Sequence, residues 1–228
     1  MKKDTIFLEI YYELLDMYGL QGWWPLINEN EELEYFPGNY NIPHNNSEFF
    51  EIVTGCILTQ NTNWKSASKA VTNLKKAGIN NPQSLLKLDD ETLVSLVTPA
   101  GFKNQKSKYL RNISNFLLNF KEVPSRKDLL DIKGIGNETC DSILLYGYGK
   151  PEFVVDTYTK RFLNYLNLSS EFNDYISIKD LFESYLNPDV NLYREYHSLI
   201  VEHGKHFYQK KPYGKNDPLV NKFSLNKI

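Results

Sequence analysis

The stretch Leu129-Leu130-Asp131-Ile132-Lys133-Gly134-Ile135-Gly136-Asn137-Glu138-Thr139-Cys140 decides how this chain is read. A short amphipathic run ends in Gly-x-Gly, and a second helical pattern opens at once. Glycine on both sides of Ile135 lets the backbone turn tightly and approach another backbone closely. The first amides of the second helix then point outward with partial positive charge, which makes a phosphate site that reads no base sequence. Twenty residues beyond Gly136, the run Val154-Val155-Asp156-Thr157 brings an acid out of an apolar segment. By itself Gly-x-Gly also fits an ordinary helix–helix turn. With the later acid it suggests a hairpin that grips DNA, followed by a carboxylate for chemistry.

Working outward, the pattern is almost wholly helical. Ile6, Phe7, Ile10, Tyr11, Leu14 and Leu15 recur at helical spacing. Residues 28–46, with Pro37, Gly38 and Pro43, read as loop. Apolar helices are expected from Phe49 to Leu58 and from Trp64 to Ala77, the latter stopped by Gly78. Pro82 opens a short helix, and Asp90 caps the next through Val97. Lys106 to Phe120 is amphipathic, and Ser125 with Asp128 resembles a capping box. After the hairpin come Tyr158 to Leu166, Ile178 to Leu186, and Asn191 to Tyr208. The lysine-rich tail after Lys210 reads as irregular.

The chain has 228 residues, 41% hydrophobic and 24% charged, enough for one large domain or two small ones. No apolar run is long enough to cross a bilayer. Glu9 and Glu13 break what would be the core of a signal peptide, so a cytoplasmic, nucleoid-associated protein is expected. Only two cysteines occur, Cys56 and Cys140, too few for a four-cysteine cluster. His44, His197, His203 and His206 make no convincing metal set, so neither metal nor cofactor is expected. Net charge is −2, which argues mildly against a nucleic-acid binder. The distribution argues the other way: Lys103, Lys106, Lys108, Arg111, Lys121, Arg126, Lys127 and Lys133 form a basic middle.

The hairpin, Asp156 and the run Leu58-Thr59-Gln60-Asn61-Thr62 together resemble the helix-hairpin-helix DNA glycosylases of the endonuclease III superfamily. The resemblance spans about Phe49 to Leu166 and resumes at His203-Gly204-Lys205. Trp23-Trp24-Pro25, Trp64, Gly101-Phe102-x-Asn104-Gln105-Lys106 and Glu138 are similar to the cluster-less 3-methyladenine glycosylases. What this implies is an all-α protein of two helical lobes. A six-helix, barrel-like lobe would cover 47–146, with its hairpin at 133–136. A second would join 1–46 to 147–228, with the active cleft between the two.

The resemblance also implies roles. Asp156 would be the catalytic carboxylate; Asp is also favoured as a helix N-cap, and the two roles are compatible. Lys106, Lys133, Gly134, Ile135, Gly136 and Thr139 would hold the DNA backbone. Gln60 would fill the gap left by a flipped base, and Phe102 would wedge from the other side. Trp23, Trp24, Pro25, Trp64, Glu138 and Lys205 would form the base pocket, with Glu138 the candidate ion partner of Lys205. An alkylated purine is cationic, so aromatic faces would attract it by ~0.5–2 kcal/mol beyond base stacking of ~1–3 kcal/mol. Lyase members carry a lysine where this chain has Glu138, and a carboxylate forms no Schiff base. The expectation is a monomeric, monofunctional enzyme that removes alkylated purines, 3-methyladenine first, from damaged duplex DNA. Other readings are a glycosylase for another damaged or mismatched base, a non-catalytic DNA-binding module, and a helical interaction protein.

Overall fold

Polar caps fix where the helices begin. The computed structural model describes residues 3–168 and 174–223. After α1 (Lys3–Tyr18), an antiparallel hairpin pairs β1 (Leu26–Ile27) with β2 (Leu33–Glu34), Ile27 opposite Leu33. Asn45 opens α2 (Asn46–Leu58) by accepting from the amides of Ser47 and Glu48, and Asn63 opens α3 (Trp64–Lys76). Asn81 and Ser84 cap each other's backbone at α4 (Pro82–Leu86). Asp89, one residue before the expected Asp90, caps α5 (Asp90–Val97). A 3-10 turn, Thr98–Ala100, leads into α6 (Lys103–Asn119). Ser125 and Asp128 form the expected capping box of α7 (Arg126–Leu130). α8 (Asn137–Ser142) runs on as a π-type segment, Ile143–Gly147. Asp156, Asp174 and Asp189 cap α9 (Thr157–Tyr165), α10 (Tyr175–Tyr185) and α11 (Val190–Phe207). α12 (Pro218–Phe223) closes the described chain. The fold is all-α apart from the small hairpin, as the sequence implies.

The chain divides into two compact units, residues 24–149 and residues 1–23 with 150–228. The N-terminal boundary therefore falls at Trp24, not at residue 47. The reason is the short β-hairpin, hidden in a stretch that reads as loop. Ile27 N–H donates to Glu51 Oε1 at 2.5 Å, and Lys75 Nζ bridges Ile27 O and Glu51. Leu26 and Ile27 are buried, so β1 packs with α2 and α3. α2 is the core of this unit: every residue from Phe50 to Leu58 is buried.

The core of the other unit is aromatic. Phe153 stacks on Phe182 with centroids 4.0 Å apart, and Phe7 meets Phe182 edge-on at 5.0 Å. Tyr196 closes this cluster and donates its hydroxyl to Phe7 O at 2.8 Å. The tail differs from the irregular segment expected. Leu219 and Phe223 are buried in α12, and a polar clasp fastens the segment before it. His203 Nε2 lies 3.0 Å from Asp217 Oδ2, and His203 Nδ1 lies 2.8 Å from the Tyr18 hydroxyl. A carboxylate only accepts, so Nε2 carries a proton. Tyr208 Oη also donates to Asp217 Oδ2, and the Leu219 amide donates to Oδ1 at 2.8 Å.

Burial alone would raise the Asp217 carboxyl. The bond and charge of His203, the Tyr208 hydroxyl and the Leu219 amide together hold it below the usual carboxylate range. Asp217→Ala strands two buried partners and is expected to cost about 3 kcal/mol, measured by urea denaturation at neutral pH. A group whose folded pKa is lowered stabilises fully above its unfolded value of about 4, and this is lost as pH falls through the folded value. The gap between wild type and variant should therefore close in acid. A gap that widens below that pH would contradict the clasp.

Candidate active site and DNA interface

In the unit of residues 24–149 scaffold side chains take two carbonyls of the hairpin. Gln60 Nε2 donates to Gly134 O at 2.9 Å, and Asn112 Nδ2 donates to Lys133 O at 2.8 Å. Gly134 has φ +105°, and a Cβ there would overlap the Tyr109 ring. That close approach, not only the turn, requires glycine. Gly136 is the N-cap of α8 at φ −97° and brings no side chain to cap it, so the first amides of α8 are left for a ligand. Arg126 locks the two helices: its guanidinium reaches Asp141 at 2.8 Å and Asn137 at 2.6 Å.

Several expected contacts change character. The Ile135 amide bonds Ile132 O at 3.0 Å and its side chain is buried, so it shapes the turn and does not meet phosphate. Thr139 is buried and its hydroxyl accepts from Gln60 Nε2 at 2.9 Å. Lys133 is exposed beside the turn. Lys106 is not a phosphate ligand. It is 2% exposed, and its ammonium donates to Leu58 O and Ala100 O, both at 2.8 Å. Burial lowers its pKa to about 8. Phe102 is the opposite case, a left-handed residue (φ 46°) at the start of α6 that is 62% exposed.

The tryptophans separate as well. Trp24 is a core residue, 7% exposed, packed on Gly55 where a Cβ would come within 2.9 Å of its ring. It meets Trp64 at 5.1 Å and Tyr146 at 5.3 Å, both edge-to-face or nearly so. Pro25 is buried beside it. Trp23, in the other unit, and Trp64 are both half-buried. Glu138 is exposed on the first turn of α8, and its charge adds to the burial that pushes the Cys56 thiol up.

In the unit of residues 1–23 and 150–228, Asp156 caps α9 with one oxygen. Its Oδ1 accepts from the Thr159 amide at 2.7 Å and the Thr159 hydroxyl at 2.8 Å. Oδ2 takes no hydrogen bond from any described residue. His197 on α11 was weighed in the sequence only as a metal ligand, yet it is a titratable neighbour of Asp156. Burial lowers its pKa, and the Asp156 charge works against that shift. Nothing local in the sequence marks this, because the two residues sit on different helices. Lys205 is partly exposed and pairs with Glu202 at 2.7 Å, so its charge is met within its own helix. Gly204 is required because a Cβ there would overlap Tyr158. A four-cysteine cluster does not fit: Cys56 and Cys140 are buried thiols of the other unit, and the segment after α11 offers no thiolate.

An all-α unit with a helix-hairpin-helix, and a capping aspartate with a spare oxygen in the other unit, define a class. The chain belongs to the HhH-GPD superfamily of base excision DNA repair proteins, whose pattern matches residues 54–188. It is 40% identical to a Methanocaldococcus jannaschii protein provisionally named a DNA repair glycosylase, over 99% of this chain and 98% of that one. The H. pylori 3-methyladenine DNA glycosylase bound to 1,N6-ethenoadenine is 29% identical, with TM-score 0.68 over 90% of this chain and 98% of that one. An endonuclease III–DNA complex matches with TM-score 0.76 over 99% and 96% at 15% identity, a likeness of fold alone. The protein is a DNA glycosylase of the base excision repair family. Among the described residues, no helix is long and apolar enough to cross a membrane.

The two hairpin glycines should behave differently. Gly134→Ala combines a left-handed φ with overlap of Tyr109, and is expected to destabilise the protein by more than about 2 kcal/mol and abolish duplex binding. Gly136→Ala meets nothing within 4 Å at an ordinary φ and should keep the stability of the wild type. Thermal melts and duplex titrations of both variants check this; equal damage would mean that Gly134 is not the close-packed one.

Proposed function

We propose that this enzyme is a monofunctional glycosylase that releases alkylated purines, with 3-methyladenine its first substrate. The observation that carries the reading is Glu138 at the first turn of α8, exposed where lyase members of the family present a lysine. The likeness to a 3-methyladenine glycosylase over 90% of the chain supports the substrate class, and the ethenoadenine bound there supports a pocket for enlarged purines.

The chemistry is undemanding of acids. A 3-alkylated adenine nucleoside is cationic, so cleavage of the N9–C1′ bond sends its electron pair into the base, which leaves neutral. Water then bonds C1′ and loses a proton. Asp156 stabilises the oxocarbenium-like sugar and orients that water with Oδ2, while Oδ1 stays on Thr159. Trp23 and Trp64 offer ring faces to the cationic base. Trp24 and Pro25 are core, with Trp24 packed against Trp64. Phe102 wedges the duplex. Gln60 fills the gap by exchanging its bonds to Gly134 and Thr139 for bonds to the orphaned base. Lys133, Gly134 and Gly136 hold phosphate through the hairpin, and the protein acts as a monomer.

Single-turnover incubation with methylated duplex DNA tests this. Free 3-methyladenine without a strand break before alkali is the expected result. A borohydride-trapped adduct would overturn the monofunctional reading. Asp156→Asn should lower base release by at least about 10³-fold, on the scale of an electrostatic stabiliser, while duplex affinity stays within about twofold. Trp23→Ala should lower activity more than stability, and Trp24→Ala the reverse.

A further inference from the structure

Two turns carry the residues proposed to enter the opened duplex, and one buried ammonium holds the backbone of both. Lys106 Nζ donates to Leu58 O and to Ala100 O, each at 2.8 Å. Leu58 is the last residue of α2 and Ala100 the last of the 3-10 turn, so both carbonyls lie at helix ends and attract a cation. The amides that follow bond elsewhere: Gln60 N to Ile57 O, Thr62 N to Thr59 O, and Gly101 N to Thr98 O. Gln60 stands two residues after Leu58, and Phe102 two after Ala100. Each turn contains a left-handed residue that is not glycine, Asn61 at φ 52° and Phe102 at φ 46°. Such conformations persist only where the surroundings over-determine them.

Packing does not explain a lysine here. No carboxylate among the described residues pairs with Lys106. A methionine of similar length would fill the same space without burying a charge. What methionine lacks is the ability to bond two carbonyls at once.

We infer that Lys106 is a positioning residue for base flipping, whose ammonium sets the Gln60 turn and the Phe102 turn in register so that both enter the duplex together. The inference rests on the proposed roles of Gln60 and Phe102. Lys106 itself touches neither DNA nor the reacting atoms, and it acts only where the helix must be opened.

The test needs no catalysis. A duplex with a tetrahydrofuran abasic analogue beside 2-aminopurine reports insertion as a rise in fluorescence, and an intact duplex reports grip by the hairpin. Wild type, Lys106→Met, Phe102→Ala and the double variant are compared on both, with thermal melts. Lys106→Met is expected to bind the abasic duplex about tenfold more weakly, equivalent to one weakly made insertion contact, and to lose most of the fluorescence rise. Its affinity for intact duplex should stay within about twofold, and the double variant should bind no worse than Phe102→Ala alone, since contacts that act through one another do not add. Losses that are equal on both duplexes, or that add to those of Phe102→Ala, would overturn the inference, as would wild-type behaviour of Lys106→Met. No fluorescence rise with wild type would overturn the insertion roles and the inference with them. Should Lys106→Met fail to fold, Lys106→Gln, which keeps a donor but not its reach, carries the same comparison.

Discussion

A helix whose last nine residues are all buried must satisfy its last carbonyls inside the protein, and that constraint at the end of α2 organises the hairpin. Thr59 turns its hydroxyl back to Gly55 O at 2.7 Å, and Lys106 reaches in from α6 to take Leu58 O. The turn that follows delivers Gln60, whose amide then takes Gly134 O. From α6, Tyr109 lies under Gly134 and Asn112 takes Lys133 O. The hairpin is thus fixed from behind by α2 and α6 together. Its carbonyls are occupied by side chains of the scaffold, which is why the amides of the α8 start are the groups left to face an anion.

Much of this was legible in the sequence, and the failures share one cause. Helix starts are written locally, in Asn45, Asn63, Asn81, Ser125 and Asp156, because a cap acts within three residues. Gly-x-Gly marks the hairpin for the same reason. Burial is not local. Lys106 sits among lysines and reads as another phosphate ligand, and only the fold shows it beneath two turns. Trp23 and Trp24 are neighbours of identical type, and no pattern of spacing says which enters the core. The two-residue strands of the hairpin at 26–34 are too short to show alternation, so the segment reads as loop. The tail after Lys210 is polar and hides a buried Asp217 that means nothing until His203 and Tyr208 meet it.

Asp156 caps α9 with one of its two oxygens and leaves the other for a second task. A helix cap needs a single acceptor oxygen, and a carboxylate has two. Thr159 takes Oδ1 with both its amide and its hydroxyl, which fixes the orientation of the group. The second oxygen is therefore aimed by the helix it caps. Serine or threonine would cap as well but would leave no anion here. His197 shares the field of this carboxylate while buried, so the local balance depends on both groups.

A polar clasp of ordinary side chains fastens the C-terminal segment. The clasp fastens Tyr18, His203, Tyr208 and Leu219 to one carboxylate system built from ordinary side chains. His203, Tyr208, Asp217 and Leu219 are buried, and a buried network holds only while every partner is present. It therefore depends on protonation, and that dependence lies well below neutral pH. The same segment carries Gly204, pressed against Tyr158 two residues after Asp156. Tyr158 lies on the first turn of the helix that Asp156 caps, so fastening this segment also bears on the backbone that aims the carboxylate.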